Sequence, residues 1–159
     1  MNLDKENNRI VRQLLKDEKI PYDLLLLADE TIEAIDKYIK DSEIYIFESA
    51  KKIIAIYVLQ VISKDKIEIK NIAVDRKYQG QGIGKFLLRD AANKAKEKGF
   101  KTIIIGTGDA SKQLYLYQKE GFEIYGIKKN FFINNYTEPI YENGILLKHM
   151  IMLKKTIGK

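Results

Sequence analysis

Asn71-Ile-Ala-Val-Asp-Arg-Lys-Tyr-Gln-Gly-Gln-Gly-Ile-Gly-Lys85 is the stretch on which the reading of this 159-residue chain turns. A β-branched, apolar run ends at Val74, a short polar loop follows, and Gly80, Gly82 and Gly84 lead directly into a segment of helical periodicity. Glycine lets a backbone approach a ligand without a Cβ in the way. The first turn of the helix adds unpaired N–H groups and the positive end of the helix dipole, so such a junction suits an anion, above all a phosphate.

Two common phosphate loops are refused by particular residues. A Walker loop needs Gly, four residues, then Gly-Lys-Ser/Thr. Here Gly84-Lys85 is followed by Phe86, and Gln79 stands where the first glycine belongs. A dinucleotide G-x-G-x-x-G begun at Gly80 and Gly82 would demand glycine at Lys85. What fits is Gln79-x-x-Gly82-x-Gly84.

Outward from this loop, the apolar period is 2 on the upstream side. Ile44 and Ile46, then Ile53 to Val61, then Ile67 and Ile69 form three β-branched runs, separated by the turn-like Ser49–Lys52 and Ser63–Lys66. Three adjacent antiparallel strands are expected. Further upstream the spacing predicts a strand near Ile10–Leu15, a break at Lys19–Pro21 and two helices within Tyr22–Lys40, with Ile32, Ile35 and Ile39 on one face and Asp29 as the cap of the second part. Downstream, a helix from about Gly82 to Lys98 carries Ile83, Leu87, Ala91 and Ala95 on one stripe and stops at Gly99. Lys101–Ile105 reads as a buried strand followed by a Gly106-Thr107-Gly108-Asp109 loop. A helix over Ala110–Glu120, ended by Gly121, and strands near Phe122–Phe132 and Ile145–Leu153 complete the chain. The expected fold class is α/β, a mixed and mostly antiparallel central sheet with helices on both faces, in a single domain over residues 1–159. Two prolines and no linker or repeat favour that single domain.

Composition narrows the chemistry. Hydrophobic residues make up 45% and charged residues 31%, enough for a core and too much order for a disordered tail. Cysteine is absent, which excludes disulfides, thiolate zinc sites and a cysteine nucleophile. With His149 the single histidine, no metal site or Ser-His-Asp triad is expected. Lys and Arg number 28 against 22 Asp and Glu, a formal charge of +6 that attracts polyanions. The lysines are scattered, so a phosphorylated cofactor is favoured and no nucleic-acid partner is expected. The longest apolar runs, such as Leu24–Ala28 and Ile103–Ile105, are too short to cross a bilayer, so no membrane is expected. The opening MNLDKENNRI has no apolar stretch of the signal-peptide kind, and a cytoplasmic location is the expectation.

Gln79-x-x-Gly82-x-Gly84, with an apolar strand before it and a long amphipathic helix after it, resembles the Q/R-x-x-G-x-G/A pyrophosphate loop of the GCN5-related N-acetyltransferase (GNAT) superfamily. A second block, Gln113-Leu-Tyr-Leu-Tyr-Gln-Lys-Glu-Gly-Phe122, looks like that family's helix ending in aromatic-Tyr-x-x-x-Gly-Phe, with Tyr117 at the tyrosine position. The resemblance covers roughly residues 43 to 155. The segment Gly106 to Met152, with FFINNY (131–136) and PIYENGI (139–145), is similar to a small bacterial subgroup of undefined substrate.

The resemblance implies the acyl-CoA N-acyltransferase fold and acetyl-CoA as donor. It implies that backbone amides of Gln79, Gly80, Gln81, Gly82, Ile83, Gly84 and Lys85 hold the pyrophosphate. Ile72, Ala73 and Val74 would occupy the strand that takes the pantetheine arm. One of their N–H groups would polarise the thioester carbonyl, as an oxyanion-hole donor does. Tyr117 would contact the cofactor and act as general acid, since a phenol of pKa about 10 matches a departing thiolate. Tyr115 points about 200° away on the same helix. Glu68, eleven residues before Gln79, stands where histone-modifying members carry a glutamate base. Period 2 equally allows Glu68 to share a solvent face with Lys70.

Lacking cysteine, the chain cannot form a thioester-enzyme intermediate, so an amine of a small molecule or peptide would attack acetyl-CoA directly. Glu138, Tyr141 and Glu142, with Tyr136 nearby in an expected loop over Asn134–Asn143, are candidates for the amine acceptor through charge and cation–π contacts. The same residues also read as a solvated loop, and His149 as structural. A homodimer is compatible with this reading. The alternative function is a non-catalytic CoA-binding or sensing module, which would keep Gln79–Lys85 and dispense with Tyr117.

Overall fold

A computed structural model describes residues 9–158; the part of the opening decapeptide read for targeting signals, Met1–Asn8, lies outside the described residues. The chain forms two compact units, one from the residues up to Val61 with Ile69–Asn93, the other from Ile62–Glu68 with Lys94 onward. Among the described residues no helix is long and apolar enough to cross a membrane.

In the first unit, strands β1 (Ile10–Gln13), β2 (Glu43–Ser49), β3 (Lys52–Val61) and β4 (Lys66–Val74, continuous with the second unit at its start) hydrogen-bond in that order. The β1/β2 and β2/β3 pairs are antiparallel. Alternation along β2 and β3 sorts their side chains onto two faces. Ile44, Ile46, Ile56 and Val58 pack with Leu24 and Leu25 of α1 (Tyr22–Leu25) and with Ile35 and Ile39 of α2 (Ile32–Ile39). On the opposite face Phe47 meets Phe86 of α3 (Ile83–Glu97), their ring centres 5.5 Å apart. There too the Tyr57 hydroxyl donates to Asp90 Oδ2 at 2.6 Å. Helices therefore cover both faces of these strands, as the periodicity implied. Each fully buried isoleucine contributes about 1.5–3 kcal/mol, and the α3 stripe Ile83, Leu87, Ala91, Ala95 is buried throughout.

The helical stretch Tyr22–Lys40 is two helices, as expected, but the cap of the second is Thr31, not Asp29. Thr31 holds the extended backbone that an N-cap requires, and its Oγ1 accepts from the Ala34 N–H at 3.1 Å. Asp29 belongs to the preceding turn, where it accepts from the Glu30 N–H and the Tyr38 hydroxyl. Ile35 and Ile39 are buried as expected, whereas Ile32, first in the helix, is half exposed. The β2–β3 hairpin turns on Ala50 and Lys51, both at positive φ (50° and 69°), a conformation usually left to Asn and Gly.

In the second unit β5 (Thr102–Gly108), β9 (Met150–Thr156) and β6 (Glu123–Lys128) lie side by side in the order β5-β9-β6, both pairs antiparallel. The strand expected to end at Ile105 continues through Gly106, Thr107 and Gly108. Its glycines are strand residues because neighbours fill their side-chain space. A Cβ on Gly106 would stand 2.7 Å from Met150 Sδ, and one on Gly108 2.8 Å from Leu147 Cδ2. Helix α4 spans Gln113–Lys119.

The strand expected over Phe122–Phe132 ends at Lys128, where Asn130 (φ 56°) turns the chain into α5 (Phe131–Asn135). The expected Ile145–Leu153 strand is divided into β8 (Ile145–Leu146) and β9, with β8 paired to β7 (Tyr141–Glu142). Asn143-Gly144, at φ 53° and 77°, forms the two-residue turn between β7 and β8. The expected Asn134–Asn143 loop thus contains a helix end and half a hairpin. Phe132, Ile140 and Leu147 close a small apolar cluster beneath it.

Candidate active site

In the first unit the glycine loop is shaped by its own polar side chains. Asp75 ends β4: its N–H donates to the Ile54 carbonyl at 2.8 Å and its Oδ1 accepts from the Lys77 N–H at 2.9 Å. The single 3-10 turn Arg76–Tyr78 follows. Gln79 then reaches back, donating Nε2 to the Val74 carbonyl at 3.0 Å. That bond closes the loop on the end of the strand, so the Gln79 side chain organises the loop while its backbone stays available.

Gly80 and Gly82 take φ of 79° and 84°, and a Cβ at either would meet no protein atom within 4 Å. The backbone there borders open space. The helical ladder begins with the Phe86 N–H donating to the Gly82 carbonyl at 3.0 Å. Helix geometry therefore gives the N–H groups of Ile83, Gly84 and Lys85 no intrahelical acceptor. Gly84 differs from the other two: a Cβ there would make ordinary contact with Val74 Cγ2 at 4.0 Å, which is why a G/A position is tolerable at this point. Open glycines beside the N-terminus of a 15-residue helix fit a diphosphate. Ala73 is buried while Ile72 and Val74 are half-buried.

In the second unit Tyr117 is held by the way α4 ends. The Phe122 N–H donates to the Tyr117 carbonyl at 3.0 Å, the Gly121 N–H to the Gln118 carbonyl at 3.1 Å, and Gly121 lies at φ 94°. This is a Schellman cap, in which the residue after the left-handed glycine packs against the residue three places inside the helix end. Here those residues are Phe122 and Tyr117, with ring centres 6.3 Å apart. The spacing Tyr-x-x-x-Gly-Phe is thus the geometry that orients Tyr117. Tyr117 is 5% exposed. Burial pushes its hydroxyl above the ordinary phenol range, and the charge of Glu142 raises it further. Tyr115 is turned out to solvent, where Lys119 Nζ lies 5.0 Å from its ring centre.

Glu68 is buried on β4, 8% exposed, so it does not share a solvent face with Lys70. Its charge is felt at Tyr125, whose hydroxyl is raised first by burial and then by Glu68. Of the three acceptor candidates, Glu138 and Tyr141 face outward and only Glu142 turns in. Glu142 Oε2 is buried and makes no hydrogen bond. His149 has a structural part: its Nδ1 accepts from the Asn130 N–H at 2.9 Å and its carbonyl from the Asp109 N–H at 3.0 Å. One buried polar side chain, Asn71, escaped the sequence reading. The signal was present, an asparagine inside a β-branched run, where it is disfavoured.

Residues 40–124 match the family model described as an acetyltransferase (GNAT) domain. An uncharacterized N-acetyltransferase, YvbK, of Bacillus subtilis (strain 168) is 45% identical over 133 residues, covering 83% of this chain and 86% of YvbK. Among solved structures, a GNAT family acetyltransferase from Elizabethkingia anophelis with acetyl-CoA bound superposes with a TM-score of 0.92 at 50% identity, over 96% of this chain and 99% of the other. A Bacillus subtilis acetyltransferase in complex with CoA superposes with a TM-score of 0.86 at 40% identity, over 93% and 98% of the two chains.

Proposed function

The chain belongs to the GNAT acetyltransferase family and is an acetyl-CoA-dependent N-acetyltransferase; from that premise we propose that it transfers the acetyl group directly to a primary amine. The acceptor is a small molecule or a peptide, and the enzyme forms no covalent intermediate. The observation that carries this reading is the burial of Tyr117, 5% exposed at the capped end of α4, with the charge of Glu142 acting on its hydroxyl. A buried phenol is kept protonated within electrostatic reach of a carboxylate whose Oε2 is buried and unpartnered.

Bound acetyl-CoA supplies the thioester that is attacked. The backbone of Gln79–Lys85 takes the diphosphate through the N–H groups of the α3 start. An N–H from Ile72, Ala73 or Val74 donates to the thioester oxygen as charge develops on it, an effect typically of about 2.7–4 kcal/mol for one fixed donor. Glu142 attracts the acceptor as an ammonium, and a carboxylate (Glu142 or Glu68) removes its proton to free the lone pair. Tyr117 gives its hydroxyl proton to the departing sulfur. Its phenolate is then unfavourable beside Glu142 and recovers a proton from water. The carboxylate passes its proton to solvent and the second amine proton follows, so with Tyr117 reprotonated one proton is released for each ammonium acetylated.

Two measurements test this. Thermal unfolding with acetyl-CoA, ATP and NAD at equal concentrations should show a rise with acetyl-CoA alone, about 2.7 kcal/mol at 100 times Kd. Intact-mass analysis after incubation with acetyl-CoA and no amine should show unmodified protein. A stoichiometric acetyl adduct that chases onto an added amine would overturn direct transfer.

A further inference from the structure

Asn71 carries a hydrogen-bonding demand that the protein itself does not meet. The residue is 4% exposed. Its Nδ2 donates to the Leu25 carbonyl at 3.0 Å and to the Tyr38 hydroxyl at 3.1 Å, which uses both of its donors. Its Oδ1 is buried and has no partner. The orientation of the amide follows from chemistry, because the Leu25 carbonyl can only accept and the atom facing it must be the nitrogen.

The chain of bonds continues outward. The Tyr38 hydroxyl donates to Asp29 Oδ2 at 3.1 Å, and Asp29 Oδ1 accepts from the Glu30 N–H at 2.8 Å. Every donor in this chain points toward Asp29 or Leu25. Donation of both amide protons shifts electron density through the amide toward its oxygen and makes that oxygen a better acceptor than an isolated carboxamide. Burial, with the charge of Asp29, holds the Tyr38 hydroxyl above the ordinary phenol range, so it remains a donor.

A structural role explains the Nδ2 bonds, which pin α1 and α2 to β4. It does not explain a buried oxygen without a hydrogen-bond partner, since an apolar side chain of similar volume would pack there without that cost. An unmet acceptor on a rigid strand is complementary to a ligand N–H. Asn71 also directly precedes Ile72–Val74, the segment assigned above to the thioester carbonyl, and residues along a strand are spaced by about 3.3 Å.

We propose that Asn71 reads the acceptor: its Oδ1 accepts a hydrogen bond from the amine nitrogen of the substrate, and Leu25, Tyr38 and Asp29 hold it in that orientation. A carboxamide oxygen can align an amine in this way without removing its proton, which separates positioning from the base function of a carboxylate. The inference rests on the N-acetyltransferase reading and names the atom that positions its second substrate.

Benzylammonium serves as the probe, because its ring reveals the direction of its nitrogen. In crystals of the full chain grown with CoA and soaked in benzylammonium, the nitrogen is expected within hydrogen-bond distance of Asn71 Oδ1. In titrations of the CoA-saturated protein, Asn71→Ala should weaken benzylammonium about tenfold, the loss of one hydrogen bond. Tyr38→Phe keeps Oδ1 and removes only its tether. It should weaken the amine severalfold while CoA affinity stays unchanged, whereas a purely structural Asn71 would lower only the melting temperature in both variants. CoA in place with water or nothing at Oδ1, or amine affinity unchanged in both variants, overturns the proposal alone. CoA absent from the 79–85 loop, with no amine at Oδ1, overturns the donor reading and this inference together.

Discussion

Gly82→Val separates the shape of the donor loop from its stability. Gly82 lies at φ 84°, and a Cβ there meets no protein atom within 4 Å. The folded protein therefore has room for valine, and its penalty is conformational. Left-handed backbone costs an L-residue about 1–2 kcal/mol, with a β-branched side chain toward the upper end. In a domain of this size that lowers Tm by about 2–8 °C. The effect on CoA is larger. The added side chain occupies the open space beside the α3 N-terminus and keeps a phosphate from its N–H groups. Losing two charge-assisted hydrogen bonds at about 1.5–3 kcal/mol each weakens binding by about 3–6 kcal/mol, or about 10²–10⁴-fold. Isothermal titration of CoA gives the affinity and a melting curve gives the stability. Gly126→Ala is the control: a Cβ there also meets nothing within 4 Å, and Gly126 has no positive φ. Its stability should stay within about 0.5 kcal/mol of wild type, with CoA affinity unaltered. A Gly82→Val protein that binds CoA as tightly as wild type would refute the assignment of this loop to the diphosphate.

Four further outcomes are expected. Tyr117→Phe should lower turnover by about 10²–10⁴-fold, the usual worth of a positioned acid, with acetyl-CoA affinity nearly unchanged; thiol release at the wild-type rate would remove Tyr117 from the mechanism. Because burial and Glu142 raise the Tyr117 hydroxyl, the acid stays protonated to higher pH, and kcat should show no Tyr117-dependent fall up to about pH 10. Glu142→Gln should move any alkaline fall downward, and an upward movement would contradict the stated charge effect. Lys51→Gly, at φ 69° in the β2–β3 turn, should add about 1 kcal/mol by relieving left-handed strain, seen as a Tm rise of about 2–4 °C; a lower Tm would show that the turn tolerates lysine at no cost.

Local pattern was sufficient wherever one segment carried its own reason. The alternation through β2–β4, the α3 stripe and the strand–glycine–helix junction each express a period or a capping rule within some twenty residues. Tyr117 belongs with them, since its orientation comes from a cap whose glycine and phenylalanine follow it in the chain. Elements failed where the deciding partner was distant or the local signal was short. Gly106 and Gly108 looked like a loop because glycine is a loop residue. They are strand positions because Met150, Met152 and Leu147 fill the space their side chains would need. Asn143-Gly144 was a hairpin signal in plain view, but its strands are two residues each and carry no period.

The amino-acid sequence by itself determined the class of fold, the strand–glycine–helix junction and the cap that orients Tyr117, because each depends on backbone conformation and on neighbours within a turn or two. Only the tertiary structure decided which polar groups are stripped of water. It buried Glu68, turned Glu142 inward and Tyr141 outward, and left one acceptor oxygen on Asn71 and one on Glu142 unmet. Desolvation is set by whatever packs around a group, and for Asn71 those neighbours come from 33 and 46 residues away in the chain.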